Sequence, residues 1–512
     1  MNGQKNLWER TAFITAGIAL WLTGAIVFGA EKFVIPGGAA PYNGDSWANA
    51  YSNLQAAVDA CIGETSTIYM RHGQYINDPS PGPGHSNSIS IAGAVNLTIR
   101  GGYTGVDMER GATPTILTKP AAGKYRILYA TNSTLTLDGL TVTNGTAQYG
   151  SGLYLANTTV VITNCNISSN KPGAASPAGI GIYAKGGSLT IANSRLTHNN
   201  SVYHVGGGAV YAETAAVTLR NSTLGWNYAS GNALLRGGGL YLNGGSAFVD
   251  TCTFASNNTT SGTSMGSFEG GGIYALGAYS LVVTNSTFQD NYASSANGNR
   301  FGNSLFLAGT GTSTVQGCTF LSSRNAYCLQ EAHVASTGPA TFWNSTFKLG
   351  SSNAVTKGAA SHLAMTNCLI YGYGLSGLIV TGGTVSVGSS TIANNGAWGV
   401  TNSIGTVTLV NSIVWDNLGG DLGNVGVSYS TLQMVHAGDG NTVGPPLFEN
   451  AGAGDFSLSL RTSPSVNAGL DQAWMNDARD RAGFLRRQGG RVDHGAFESA
   501  WASTRGIIFV FQ

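Results

Sequence analysis

A solenoid of stacked β-strands is the fold this sequence predicts, and three observations predict it. A strand-turn unit recurs ten times between Thr159 and Asn417, marked by a small residue: Cys165, Ser194, Ser222, Cys252, Ser286, Cys318, Ser345, Cys368, Ser390 and Ser412. These markers lie 22 to 34 residues apart, a period that belongs to repeat architectures. Two residues after each marker stands an apolar residue (Ile167, Leu196, Leu224, Phe254, Phe288, Phe320, Phe347, Ile370, Ile392, Val414). Three residues before it stands another (Ile162, Ile191, Leu219, Val249, Val283, Val315, Phe342, Met365, Val387, Leu409). Finally, 74 glycines and only 10% charged residues, against about 25% in an average soluble domain, suit short strands joined by tight turns.

In chain order, residues 1–30 read as an export signal, because Lys5 and Arg10 precede the uncharged run Thr11 to Ala30. That run also approaches the ~20 residues that span a bilayer, so a retained membrane anchor is the rival reading. Residues 31–130 read as an N-terminal cap and first coils, with Asn53–Ala60 forming a short amphipathic helix over the first coil. Residues 131–436 carry the repeats. Residues 437–498 read as a separate C-terminal module whose charges (Arg479, Asp480, Arg481, Arg486, Arg487, Arg491) suit it to cover the last coil, and 499–512 is a tail.

Within the repeat, inward positions at −3, 0 and +2 cannot share one straight strand of period two. The chain must bend at −1, where Asn recurs (Asn164, Asn193, Asn221, Asn285, Asn344, Asn367, Asn411) and tolerates left-handed backbone. Asn recurs again six residues later (Asn170, Asn199, Asn227, Asn257, Asn291, Asn395, Asn417), and stacked coils let such amides bond from rung to rung. The four cysteines in the marker column read as small buried thiols, since pairing across non-adjacent rungs exceeds the reach of a disulfide. Cys318 with Cys328 is the one local pair to consider.

Each unit opens on a Gly-rich start followed by an aromatic: Tyr154, Tyr183, Tyr211, Tyr241, Tyr274 and Phe306. Their neighbours (Leu153 and Leu155, Ile182 and Ala184, and so on) are aliphatic and point inward, so parity puts the aromatics on the outer surface. The small residues two before them (Gly152, Gly181, Ala209, Gly239, Gly272, Ser304) read as outward too, a shallow track beside an aromatic stripe.

These features resemble bacterial right-handed parallel β-helix repeat proteins of the pectate-lyase-like superfamily. Gly271-Gly272-Ile273 with Phe288-Gln289-Asp290-Asn291 is similar to the polymorphic outer-membrane protein repeat. Asn43-Gly44-Asp45-Ser46-Trp47-Ala48 through Ala60 and Ile99-Arg100-Gly101-Gly102-Tyr103 are similar to the N-terminal region of the same proteins. Pro446-Leu447-Phe448, Gly454-Asp455-Phe456, Ser463-Pro464, Asn467-Ala468-Gly469 and Val492-Asp493-His494-Gly495-Ala496-Phe497-Glu498 resemble the choice-of-anchor Q module, with His494 and Asn467 departing from its usual residues. The expected fold is thus all-β, a single-stranded right-handed parallel β-helix with an N-terminal amphipathic-helix cap.

The net charge of +1 gives no electrostatic footprint for nucleic acid. The resemblance implies lyases and hydrolases that use carboxylate clusters, often with calcium, but charges in the coils find neighbours. Lys185 and Glu213 share a column on adjacent rungs, as do Arg220 and Asp250. His198, Trp226 and Asp290 share another, but Asp290 lies three rungs from His198, too far for a proton-transfer dyad. The loop carboxylates Glu269 and Glu331 are the remaining catalytic candidates. Gly438-Asp439-Gly440-Asn441 is too short for a calcium loop. No catalytic residue, metal site or cofactor is assigned.

Aromatic faces stack on sugar rings. The expectation is therefore an exported, secreted or cell-surface protein that binds polysaccharide or another surface polymer through Tyr154, Tyr183, Tyr211, Tyr241, Tyr274 and Phe306. A polysaccharide lyase or glycoside hydrolase is the alternative, and a structural adhesion protein a third. The bland alternative for the aromatics is a ladder whose rings only stabilise one another.

Overall fold

The computed structural model describes residues 29–37, 43–76, 86–173, 178–202, 206–230, 235–261, 267–295, 299–322, 329–488 and 490–499. The proposed export segment up to residue 28, Cys328 and the tail from residue 500 lie outside the described residues. The described chain is a parallel β-helix. One parallel sheet of fifteen strands runs from Gly73–Ile76 to Thr442–Val443. Opposite it stand two further faces, one of aromatic-bearing strands such as Ile182–Lys185 and one of strands such as Ser188–Ala192. Among the described residues no helix is long and apolar enough to cross a membrane.

The expected inward columns are inward. All ten markers and both apolar columns are at most 4% exposed, and the apolar columns with the four Cys markers belong to one continuous core. Phe254, Phe288, Phe320 and Phe347 stack in it with ring centroids 4.4–4.9 Å apart. Where the next marker is Ser, its hydroxyl accepts the backbone N–H of the marker below, as from Cys252 to Ser286 at 3.1 Å. The five described cysteines are free and buried.

The bend at −1 is present in every unit. All seven Asn there have positive φ, and the other three units place Thr251, Gly317 and Ser389 in the same conformation. A second left-handed corner, four residues after the marker, escapes the sequence reading because its residues share no chemistry: Ser169, His198, Trp226, Ser256, Asp290, Leu349, Gly372, Asn394 and Asp416.

Immediately after that corner comes the second Asn column, which forms the expected ladder inside the solenoid. Asn170, Asn199, Asn227 and Asn257 each donate Nδ2 to the next rung's Oδ1 at 2.9–3.0 Å. The other Nδ2 proton goes to a backbone carbonyl of the rung below, as from Asn227 to Leu196 at 2.8 Å. Each Oδ1 also accepts a backbone N–H, as from Asn199 to Asn227 at 3.1 Å. Every donor and acceptor site of the Asn199, Asn227 and Asn257 amides is used, which is the condition for burying them cheaply.

Both ends differ from the middle. Asn53 caps the helix Leu54–Asp59 through its side chain, and Leu54, Ala57 and Val58 close the first coil as expected. The region 444–498, expected to cover the last coil, lies instead along the flank. Asn411 exchanges hydrogen bonds with Leu470 at 2.6 and 2.8 Å, Asn367 donates to Arg479 at 3.1 Å, and Ala496 donates to Thr391 at 3.0 Å. The corner at −1 turns its Asn amides sideways, and the C-terminal segment is what meets them.

Candidate functional site

The six aromatics form a column outside the main core, as parity requires. They align in register across parallel strands and make a cluster of their own. The column is longer than the sequence reading had it: Tyr129 extends it at one end and His333 at the other. Ring centroids step by 4.6–5.3 Å from Tyr129 to Phe306, and His333 stands 4.9 Å beyond.

The column is not, however, an outer surface. Tyr183, Tyr211, Tyr241, Tyr274 and Phe306 are at most 7% exposed, and Tyr154 is half-buried. A glycine stands four residues before each ring (Gly150, Gly179, Gly207, Gly237, Gly270, Gly302), always with positive φ. There the incoming chain folds back onto the ladder; a Cβ on Gly206 would come within 2.7 Å of the Tyr241 ring. Successive lead-ins bond to one another, Gly207 N–H to Arg236 C=O at 3.0 Å and Gly237 N–H to Glu269 C=O at 3.1 Å. The rings therefore lie under a roof of backbone. The invariable glycine at that fixed distance was the signal for it.

The expected track is also reversed. Gly152, Gly181, Ala209, Gly239, Gly272 and Ser304 precede the strand proper, so strand parity does not govern them. They face inward against the Asn ladder; a Cβ on Gly181 would meet the next rung's carbonyl at 2.5 Å and Asn199 at 3.1 Å. Replacing Tyr241 and Tyr274 by Ala, harmless for an exposed stripe, would hollow a packed cluster.

Polar groups fringe the rings. The Tyr183 hydroxyl donates to Glu213, which pairs with Lys185 at 3.2 Å, the ion pair its column predicts. Arg220 and Asp250 are also in register, but Asp250 accepts from Thr284 at 2.7 Å and Asn285 at 3.1 Å while Arg220 lies over Phe248. Asn243 donates to the Tyr211 hydroxyl at 3.2 Å. Burial pushes the Tyr211 phenol up to about 12 and the Tyr183 phenol higher, so both stay protonated.

The two loop carboxylates are not in a groove either. Glu269 pairs with Arg236 at 2.9 Å, and that guanidinium lies over Tyr274. Glu331 occupies the inward column of Gly272 and Ser304 and is fully buried, accepting a hydrogen bond from Ser304. Among the described residues, carboxylates do converge on one arginine. Asp480, Asp493 and Glu498 surround Arg486 in the C-terminal segment, with Glu498 at 3.3 Å, but all four are sealed from solvent. Among the described residues no three His, Cys, Asp or Glu side chains are grouped to hold a metal ion.

What lies open is the neighbouring face. Two of its three outward columns form ranks over eleven rungs, Thr134 to Thr406 and Thr136 to Thr408, on strands paired in register throughout, while the third carries Asp138, Arg220 and Asp250. Ser or Thr fills most of these positions (Thr159, Ser188, Thr190, Thr218, Ser280, Thr312 and Thr314 among them), and neither rank holds an acid, Lys or Arg. The sequence signal was the alternation Thr134-Leu135-Thr136, Ser188-Leu189-Thr190 and Thr406-Val407-Thr408, legible as strand but not as site. His362 is the one titratable residue in the ranks. Its Nδ1 meets Thr384 Oγ1 at 2.9 Å and its Nε2 meets Ser386 Oγ at 3.1 Å. With a threonine hydroxyl where an orienting carboxylate would stand, this is a fixed surface cluster rather than a nucleophile pair.

The model of the right-handed β-helix region matches residues 82–224 and 178–337, together half of the chain. No curated protein matches it. Among solved structures, a pectate lyase, Pel9A, is similar at 16% identity over 92% of this chain and 96% of its own, with a TM-score of 0.34. The A-module of the Azotobacter vinelandii mannuronan C-5 epimerase AlgE6 is 12% identical over 77% and 96%, at 0.34. PfbA, a surface adhesin of Streptococcus pneumoniae, is 11% identical over 74% and 89%, at 0.31. Scores this low carry no argument about function.

Proposed function

The chain belongs to the right-handed β-helix family, and from that premise we propose an exported, secreted or cell-surface protein that binds an extended polysaccharide along the uncovered hydroxyl ranks. The observation that carries this reading is the pair of ranks: outward Ser or Thr on ten of eleven rungs, in register, with no acid, Lys or Arg in either rank, the charges of that face standing in the neighbouring column at Asp138, Arg220 and Asp250. Strand spacing repeats these hydroxyls every ~4.8 Å, close to the length of a sugar unit, so one chain can make the same contacts many times over. The inward residues behind that face, such as Val160, Leu189 and Val217, belong to the main core, and the roofed aromatics, a separate cluster, are not its contact surface. Export rests on the apolar run Thr11 to Ala30, and attachment to the envelope on the likeness of residues 437–498 to a choice-of-anchor Q module.

The test is retention of the purified protein on a panel of insoluble polysaccharides, with Thr190→Glu/Thr218→Glu as the probe of the face. Both positions are part-exposed and outward, so the pair should cut retention at least ten-fold without lowering the thermal midpoint. Undiminished retention in the pair sinks the proposed surface. Release of reducing ends or unsaturated products would transfer the reading to a polysaccharide lyase or hydrolase.

A further inference from the structure

At the far end of the solenoid the strand Gly420–Gly423 is the last of its face among the described residues. In the inward column where Gly152, Gly181, Gly239, Gly377 and Gly399 leave almost bare backbone, this final rung places Asp421. Its side chain is only 6% exposed. One oxygen, Oδ2, accepts the Gln433 N–H at 2.6 Å, while Oδ1 has no partner. Asp421 lines a cavity of about 450 Å³ together with Trp398, Leu418, Met434, Val435 and His436. Leu418, Met434 and Val435 are 84%, 68% and 87% exposed, so the cavity has apolar lips around a buried acceptor.

Burial raises the Asp421 carboxyl above its ordinary range, against the lowering pull of Gln433 and Asn417. A stranded buried acceptor is costly, whereas a hydrogen bond to a charged oxygen is among the stronger ones. The complement is a ring with an apolar face for the indole and a hydroxyl edge for the carboxylate. A purely apolar ligand would leave Oδ1 bare, and a purely polar one would leave Trp398 and the lips in water.

We propose that this cavity is a saccharide subsite, taking one pyranose ring with its C–H face on Trp398 and a hydroxyl donated to Asp421 Oδ1. The choice of a sugar rests on the polymer-binding reading above; the geometry adds the place where a chain terminus is held. A second, wider groove of about 690 Å³ shares Leu422 and His436 with it and includes Thr406 and Thr408 of the hydroxyl ranks. A polymer lying on the ranks is thereby led toward the cavity.

Saturation-transfer NMR of the full chain with methyl glucoside, methyl galactoside, methyl mannoside and glucosamine tests this, using Asp421→Asn and Trp398→Ala. Asp421→Asn keeps an oxygen for the Gln433 N–H, so its thermal midpoint should match the wild type. The expected result is transfer to at least one neutral glycoside and at least ten-fold weaker binding in each variant. Transfer to glucosamine alone would mean that Asp421 selects a cation, which overturns the hydroxyl assignment. No transfer to any sugar, or transfer unchanged in both variants, overturns the subsite. Polymer retention separates the two readings. Retention without ring binding leaves the face and removes the cavity, and ring binding without retention does the reverse.

Discussion

The coils from Leu153 to Phe306 and those from Val355 to Gly423 enclose the same kind of core in two ways. In the first set markers are 28 to 34 residues apart, and in the second 22. The long coils use their extra residues for two additional small sheets, Asn200–Val202 through Tyr292–Ser295 and Leu235–Arg236 through Asn299–Phe301. These carry the roof over the aromatic column. In the short coils the same column holds Thr356, Ile379, Thr401 and Gly423, and the interior amide ladder shrinks to Asn395 and Asn417. The roof, not the core, is what length provides. The short coils are left with the exposed side chains of Trp398, Ile404 and Leu418.

Between the two sets lies a seam of buried titratable groups. Asn291 and Ser304 pass the interior hydrogen bonds to Glu331, whose second oxygen is unpartnered, as is the hydroxyl of buried Tyr373. Tyr373 fits only because Gly350 stands below it; a Cβ there would lie 2.1 Å from the ring. His333 ends the aromatic column, and Lys357 is buried with its ammonium on the Ala359 carbonyl.

The largest effect should separate the two ladders. Asn227→Leu strands several buried groups at about 1–3 kcal/mol each, so a loss of about 4 kcal/mol is expected by denaturant unfolding. Asn395→Leu, which breaks only the bonds to Tyr373 and Asn417, should cost about half as much. Equal losses would mean that ladder length does not matter.

Next comes the roof. Gly237→Ala forces a side chain at φ +59° to within 2.6 Å of the Leu240 carbonyl, a strain of about 3 kcal/mol. Hydrogen exchange should show it locally as faster exchange at residues 206–242.

The seam is probed by pH. Burial raises Glu331 to about 7, so the native state holds its proton more tightly than the unfolded chain. The stability it contributes is full below about 4.5 and is lost as pH rises through 7. Glu331→Gln should therefore gain on the order of 2 kcal/mol at pH 8 and nothing at pH 4. His333, lowered to about 4 by burial and by Lys357, acts oppositely: its contribution is present above about 6.5 and is lost as pH falls through 4. A variant matching the wild type in melting at both pH values would place the Glu331 carboxylate in water.

The smallest effect tests the corner shared by both coil types. Thr251 holds φ +53° where seven other units use Asn, so Thr251→Asn should stabilise by about 1 kcal/mol.

The sequence exposes the shared features better than the differing ones. The core columns, the Asn corner and the amide ladder were legible because one residue type answers one physical demand on every rung. The corner after the marker was not, since solvent-facing Trp226 and Leu349 occupy it as readily as Ser256 does. The aromatic column was found but misplaced. Parity says which way Tyr241 points from its own strand and nothing about chain folding back from Gly237. Asp421 was invisible as a site, because only the end of the strand stack turns its inward column into the floor of a cavity.

One further consequence follows from the way each ladder asparagine gives to the rung above and receives from the rung below. Every coil from Asn170 to Asn257 carries one set of matched connectors, oriented the same way. A duplicated coil spliced between Asn199 and Asn227 would find its amide satisfied on both sides, and deletion of a whole coil would leave no remnant. A partial coil would orphan groups on two rungs at once. The molecule is thus free to change its reach over generations in whole turns, with the extent of any polymer it spans adjusted by counting rather than by redesign.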